Sequence, residues 1–444
     1  MPLINHCNGG SSFAAIIQVT HRTNVICTCS NGSKTLTDSS TSTESTFKVN
    51  SKGTWTITVA YGSITETKAV EIATDGQVVQ VELLVFYTYG ISRDITNSSP
   101  EWARTDDAIG LTAIRSIYPL ANGYSDFDNC YPWSGIVRET LLTGDVMVKI
   151  PKFWYRRYRE GNIEYIKIAD KAYSGFSLHP AFNHGGVVKD YIYVSAYEAS
   201  TSGDTYASVT GKSPASAVFL QDRTKVRKKG AGWEIMDIAV FSALQMLILV
   251  EFATYDVQTA IGNGHCTNST FETGSCDNML DKSTDTPTGV PTKLAIGTGY
   301  AYGVIWRGIE NLWGNASASL DGLLVKSGKP YICNNPSQYS DTITSNYVAL
   351  SYTIPKAAQK FITKLGLDEN YPWVMLPTEA NGGSGNTYIC DSLYSSSVSD
   401  VMAVCCGEGR SDIYSTGLFR TEIDNGRGAT DGIRLIYISQ EAAS

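Results

Sequence analysis

Four carboxylates gather late in the chain: Asp391, Asp412, Glu422 and Asp424. Two of them facing each other at roughly 5–10 Å would suit glycosidic-bond hydrolysis. Position along a chain does not set two carboxylates opposite one another, so a glycan hydrolase stands only as an alternative. Histidine and cysteine offer less. Of His6, His21, His179, His184 and His265, only His179 and His184 are near each other in sequence. His265-Cys266 with Cys276 is an incomplete zinc set. No glycine-rich phosphate cradle follows a strand, and Gly382-Gly383-Ser384-Gly385 reads as loop. The sequence therefore predicts no metal, no cofactor and no enzymatic activity. The same region carries a second kind of chemistry in Asn386-Thr387-Tyr388, Asp391-Ser392-Leu393-Tyr394-Ser395-Ser396-Ser397 and Gly409-Arg410-Ser411-Asp412-Ile413-Tyr414-Ser415. Tyrosine with Ser, Asn, Asp and a few Arg is the composition of a paratope, where rigid aromatics anchor and small polar groups adapt. A solvated loop of any low-charge protein has the same composition. The candidate ligand contacts are Ser392, Tyr394, Ser396, Arg410, Asp412, Tyr414, Arg420, Glu422, Asp424 and Asn425.

These residues need a frame, and composition says what kind. The chain has 444 residues, which suggests two or three domains. Hydrophobic residues make up 42%, enough for packed cores. Charged residues are only 18%, and 26 Tyr and 8 Trp point to β-rich structure and binding surfaces. A net charge of -8 argues against a general nucleic-acid partner. Arg156-Arg157-Tyr158-Arg159 and Lys225-Val226-Arg227-Lys228-Lys229 read as solvated surface. Residues 1–7 show no secretory signal, and the apolar run 238–250 is short of the ~20 residues a bilayer needs. A soluble protein made in a cytoplasm, without membrane insertion, is expected. The ten Cys form no framework and read as small buried hydrophobes.

Residues 10–88 predict a β-sandwich that acts as a spacer or attachment domain. Thr54-Trp55-Thr56-Ile57-Thr58-Val59 alternates, setting Trp55, Ile57 and Val59 on one face. Tyr61-Gly62-Ser63 supplies a turn, residues 65–72 and 77–85 are further strands, and 37–46 reads as loop. Residues 89–160 read as a connecting region. Near its end 146–155 should pair with 163–168 around Glu160-Gly161-Asn162. Ser213-Pro214 should open a helix that stops at Gly230, and Asp237 should cap a second, buried helix through Ala253. Residues 256–440 predict short strands between long, ordered loops.

Trp306-Arg307-Gly308-Ile309-Glu310-Asn311-Leu312-Trp313-Gly314-Asn315 resembles the core of the C-type-lectin-like domains of phage receptor-binding proteins. That architecture is shared with formylglycine-generating enzymes and the variable proteins of diversity-generating retroelements. The strand at 191–200, the helix pair, Tyr371-Pro372-Trp373 and Gly432-Ile433-Arg434-Leu435 follow in the family's order. Residues 1–6 and 104–111 look like tail-fibre proteins of gut-type phages. The resemblance implies an α+β chain: an attachment segment at 1–9, an immunoglobulin-like sandwich at 10–88, a connector at 89–160, and a C-type-lectin-like domain at 161–440. It implies Trp306 and Trp313 as core anchors, Glu310 and Asn311 as loop ties, and ligand contact through loops at 386–400, 407–416 and 420–431. It further implies a homotrimer in a virion tail, in contact with other tail proteins and with a host cell-surface protein or glycan. A bacterial surface adhesin with the same domain is the non-phage rival. Two departures matter. Cys405-Cys406 are adjacent with no Cys after them, unlike the reactive pair of the oxidases, and the Glu-Pro-Asn or Gln-Pro-Asp calcium loop of lectins is missing. Mutagenesis of adenines in Asn codons yields this loop composition too, a question that only the DNA beside the gene answers.

Overall fold

The computed structural model describes residues 13–61, 64–84, 86–114, 125–216, 219–262, 264–265, 270–277, 303–395, 401–406, 416–424 and 431–439. Strand accounts for 42% of the chain and helix for 11%, so the architecture is β-rich with few helices. The chain divides into two compact units, Met1–Tyr87 and Thr88–Ser444.

In the first unit, period-2 alternation builds two sheets. One has four strands in the order Thr35–Ser40, Val25–Ser30, Gly53–Tyr61, Ile64–Ile72; the other has three in the order Glu44–Val49, Ala15–Thr20, Val78–Glu82. Trp55, Ile57, Val59, Cys27 and Cys29 are fully buried from the first sheet, and Ile17, Val19, Phe47 and Val49 from the second. Each sheet hides one face, and in a unit of two sheets those faces form the core. The Ser/Thr-rich stretch 37–46 is mostly strand rather than loop, with only 41–43 between strands. Threonine is β-branched and suits an exposed strand position as well as a turn. The predicted strand 77–85 is shorter, Val78–Glu82. Residues 62 and 63 of the predicted turn, and the segment 1–9, lie outside the described residues.

In the second unit, described residues of the 89–160 stretch supply strands and core side chains. Thr88–Asp94 and Ala103–Asp106 join an antiparallel sheet with Ile163–Ala169, Trp154–Glu160 and Ser177–Leu178. Tyr89, Ile91, Trp102, Phe127 and Trp133 belong to the main hydrophobic cluster. The Glu160-Gly161-Asn162 turn joins Trp154–Glu160 to Ile163–Ala169. Val146–Pro151 goes instead to a second sheet, ordered Val137–Thr140, Val146–Pro151, Tyr191–Ser195, Leu435–Tyr437, Trp233–Ile235. Pro151 has no N–H to donate to a ladder, so the chain can change sheets there.

The pivot of the unit is helix α2, Ile238–Phe252, in which every residue but Phe252 is buried. Asp237 caps it by accepting from Val240 N at 2.9 Å, and Ala253 ends it in the left-handed region at φ 54°. Arg104 donates to the carbonyls of Val250 and Glu251 at 2.8 and 2.5 Å, satisfying orphan groups at the negative end of the helix. Helix α1 is shorter than its sequence signal: it spans Phe219–Arg227, and Ser213-Pro214 lies in irregular backbone. Ala215 N is engaged by Ala199 O at 2.8 Å, a tertiary bond that holds this segment out of the helix. Among the described residues no helix is long and apolar enough to cross a membrane.

Candidate functional site

The Trp-to-Asn stretch forms the foundation. Ile305–Trp306 and Ile309–Glu310 pair as a hairpin whose two turn residues, Arg307 and Gly308, both have positive φ, 44° and 86°. That is the twist a two-residue hairpin turn requires. Trp306 and Trp313 are 1% and 0% exposed, and their ring N–H groups donate to Glu251 Oε2 and Gly262 O, each at 2.9 Å. The Glu310 carboxylate accepts from Gly274 N at 2.8 Å and Cys276 N at 3.2 Å, so it ties down the 274–276 loop. Burial pushes its pKa up to about 7 against those two bonds, which favour the ionised form. Asn311 Oδ1 accepts from Val304 N at 3.3 Å. Asn315 donates to Glu198, whose own pKa burial raises to about 8, with Arg434 nearby working in the opposite direction. Gly314 has φ 78°, and a Cβ there would sit 2.6 Å from His265 N, so only glycine fits.

On this foundation lies a large sheet ordered Val348–Ala349, Lys329–Ile332, Ser317–Lys326, Val401–Cys406, Thr421–Asp424, Ser392–Ser395, Ala357–Phe361. Ser392–Ser395 runs parallel to Thr421–Asp424, with Tyr394 opposite Glu422. Directly opposed residues share a sheet face. Tyr394 and Glu422 are both partly exposed, whereas Ser392, Leu393, Ser395, Thr421 and Ile423 around them are 0–5% exposed. Arg420 lies beside this pair. Its guanidinium donates to the carbonyls of Ser392 and Thr421 at 3.4 and 3.3 Å and sits 3.8 Å from Glu422. Asp391 is fully buried and accepts from Phe419 N at 2.7 Å and from Gln258, a latch on the loop before Arg420.

Four of the ten sequence candidates therefore come together: Ser392, Tyr394, Arg420 and Glu422. Two of them do not project as expected. Ser392 is 0% and Arg420 3% exposed: Ser392, read as loop, starts a strand paired on both sides, by Ala357–Phe361 and Thr421–Asp424, and Arg420 is drawn in by the carbonyls of Ser392 and Thr421. Asp424 ends its strand opposite Ala403. Ser396, Arg410, Asp412, Tyr414 and Asn425 lie outside the described residues. Arg434, Gln258 and the buried Asp391 were missed as parts of the site's support. Their partners are distant in sequence, and no local pattern marks them. Among the described residues no cluster of three or more His, Cys, Asp or Glu could hold a metal ion. No protein-family model matches the chain, and no curated protein matches it.

Proposed function

We propose that this chain is a receptor-binding protein of a phage tail. Its second unit, read as a C-type-lectin-like domain, holds a host cell-surface protein or glycan, and its first, read as an immunoglobulin-like sandwich, serves as spacer. One observation supports this reading above the others: Tyr394 and Glu422 stand side by side, part exposed, on a sheet whose neighbouring residues are buried. A rigid strand pair presenting Tyr beside a carboxylate, backed by a buried Arg, is a pre-organised contact surface at low entropy cost. The reading carries a homotrimer in the virion and diversification of the adjoining stretches by a retroelement. A near-copy of the 385–435 coding segment differing at adenines, beside a reverse transcriptase, would support the latter.

The test is adsorption to host cells with Tyr394→Ala and Glu422→Ala in the full chain. The expected result for Tyr394→Ala is a loss of about thirtyfold in affinity, equivalent to about 2 kcal/mol, with a smaller loss for Glu422→Ala. Both melting temperatures should stay close to that of the parent. Normal adsorption by both variants would overturn the reading.

A further inference from the structure

The basic run Arg156-Arg157-Tyr158-Arg159, expected to be solvated surface, is divided by its strand. Arg157 turns inward: it is 3% exposed, bonds Glu164 at 2.7 Å and donates to the carbonyls of Gly366, Pro372 and Val374. Arg159 is spent on the same carboxylate, at 2.7 and 3.0 Å, and on Leu365 O. That leaves Arg156, exposed on the outer face in one file with Trp154 and Tyr158. Three features define what this outer face would take.

The first is a cation without a counter-charge. Across the ladder Arg156 stands opposite Lys167, and Tyr158 opposite Tyr165, so all four share the face. Lys167 is neutralised by Asp106 at 2.9 Å. Among the described residues Arg156 has no ion pair and no hydrogen bond; its guanidinium lies 4.2 Å from the centre of the Tyr158 ring. Glu160, the carboxylate in the same file, is four residues along the strand, its Cα about 13 Å away. The second feature is a set of donors that reach water. The Tyr158 and Tyr165 rings stack at 4.9 Å and 10°, a fixed pedestal for the guanidinium and for the two phenol groups. Neither phenol oxygen nor Trp154 Nε1 has a partner among the described residues, and none of the three is shut off from solvent. Guanidinium and indole N–H groups only donate, and a phenol O–H can donate. Such a face selects a ligand rich in oxygen acceptors and carrying a negative charge, since the edge of a guanidinium pairs with a carboxylate through two parallel N–H···O bonds. The third is a part-exposed aromatic rim. Trp154 stands two residues before Arg156, and the loop that carries Tyr173 and Phe176 passes the guanidinium at Gly175, where a Cβ would lie 3.6 Å from Nη1. Aromatic surface beside a few placed polar groups suits the C–H face of a sugar ring.

We infer that this sheet face binds an acidic sugar, its carboxylate paired with Arg156 and its hydroxyl oxygens accepting from Trp154, Tyr158 and Tyr165. The site shares no residue with the Tyr394 face, so either can fail without the other. Glucuronate, galacturonate and N-acetylneuraminate would be titrated into the full chain by calorimetry and ligand-observed NMR, with glucose, inorganic phosphate and a hexaglutamate peptide beside them. At least one acid sugar should bind, and glucose at least about tenfold more weakly. Arg156→Gln should bring the acid sugar close to glucose, and joint Tyr158→Phe and Tyr165→Phe should weaken it at least roughly fivefold. Melting temperatures should hardly move, because all three side chains reach water. Lys360→Gln, which removes an exposed cation from the large sheet, and Tyr394→Ala should leave the titration unchanged. No binding by any of the three sugars, or binding unaffected by Arg156→Gln, would overturn the inference. Phosphate or the peptide binding as tightly as the sugars would overturn it too, the one by leaving an anion site only, the other by pointing to a protein partner.

Discussion

Arg420 links three carbonyl or carboxylate groups from inside the large sheet, and at 3% exposure it does so away from water. Truncating it leaves the carbonyls of Ser392 and Thr421 short of a donor and opens a cavity. Arg420→Ala should therefore lose about 2–4 kcal/mol of stability, read as a drop of several degrees in melting temperature. An unchanged melting curve would return Arg420 to the solvent-facing role its composition suggests. What could be read at this scale follows from side-chain physics. Trp306 and Trp313 are legible as anchors because large aromatic side chains are rarely left in water. The burial of Arg420 and Ser392 was not legible. A polar residue is hidden only if partners from other strands meet it, and the Ser392 carbonyl is 28 positions away from Arg420.

Helix α2 is the element the sequence announces most clearly, since Asp237 is a strong cap and a solidly apolar run has nowhere to go but inside. One charge sits within it. Glu251 is fully buried and accepts from Trp306 at 2.9 Å and from Arg307 at 2.6 and 3.1 Å. Glu251→Ala would strand the Arg307 guanidinium, itself 3% exposed, so a loss of about 3–5 kcal/mol is expected in denaturant melts. Glu251→Gln should lose less, because it keeps an acceptor for one of the two partners. A Glu251→Ala variant as stable as the parent would show that Arg307 finds an equal partner elsewhere; Asp128, at 3.1 Å, is the candidate. The short strands were harder to read than the helix. Val146–Pro151 and Trp154–Glu160 look like one run, and only the tertiary pairing divides them between sheets.

For the molecule as a whole, two buried carboxyls set the pH response. Burial raises Glu198 to about 8 and Glu310 to about 7, from an ordinary value of 4.5. A raised folded-state pKa contributes stability that is present below the unfolded value and lost as pH climbs through the folded one. Burial acts against Asp237 and Glu164 as well, but the charges of His184, Arg157 and Arg159 outweigh it and hold both low, so their contribution disappears only in acid. The melting temperature should peak in mildly acidic buffer, decline from about pH 5 to about pH 8 and level off above; a flat or rising profile over that window would contradict the assignment. The second sheet has a consequence of another kind. Leu435–Tyr437, the latest strand described, lies between Tyr191–Ser195 and Trp233–Ile235, which are separated by some forty residues and meet only through it. During synthesis the ribosome must release residue 437 before this sheet can close. A message cut short upstream would leave two bare strand edges exposed to proteases and to one another, so truncated chains should be removed rather than assembled.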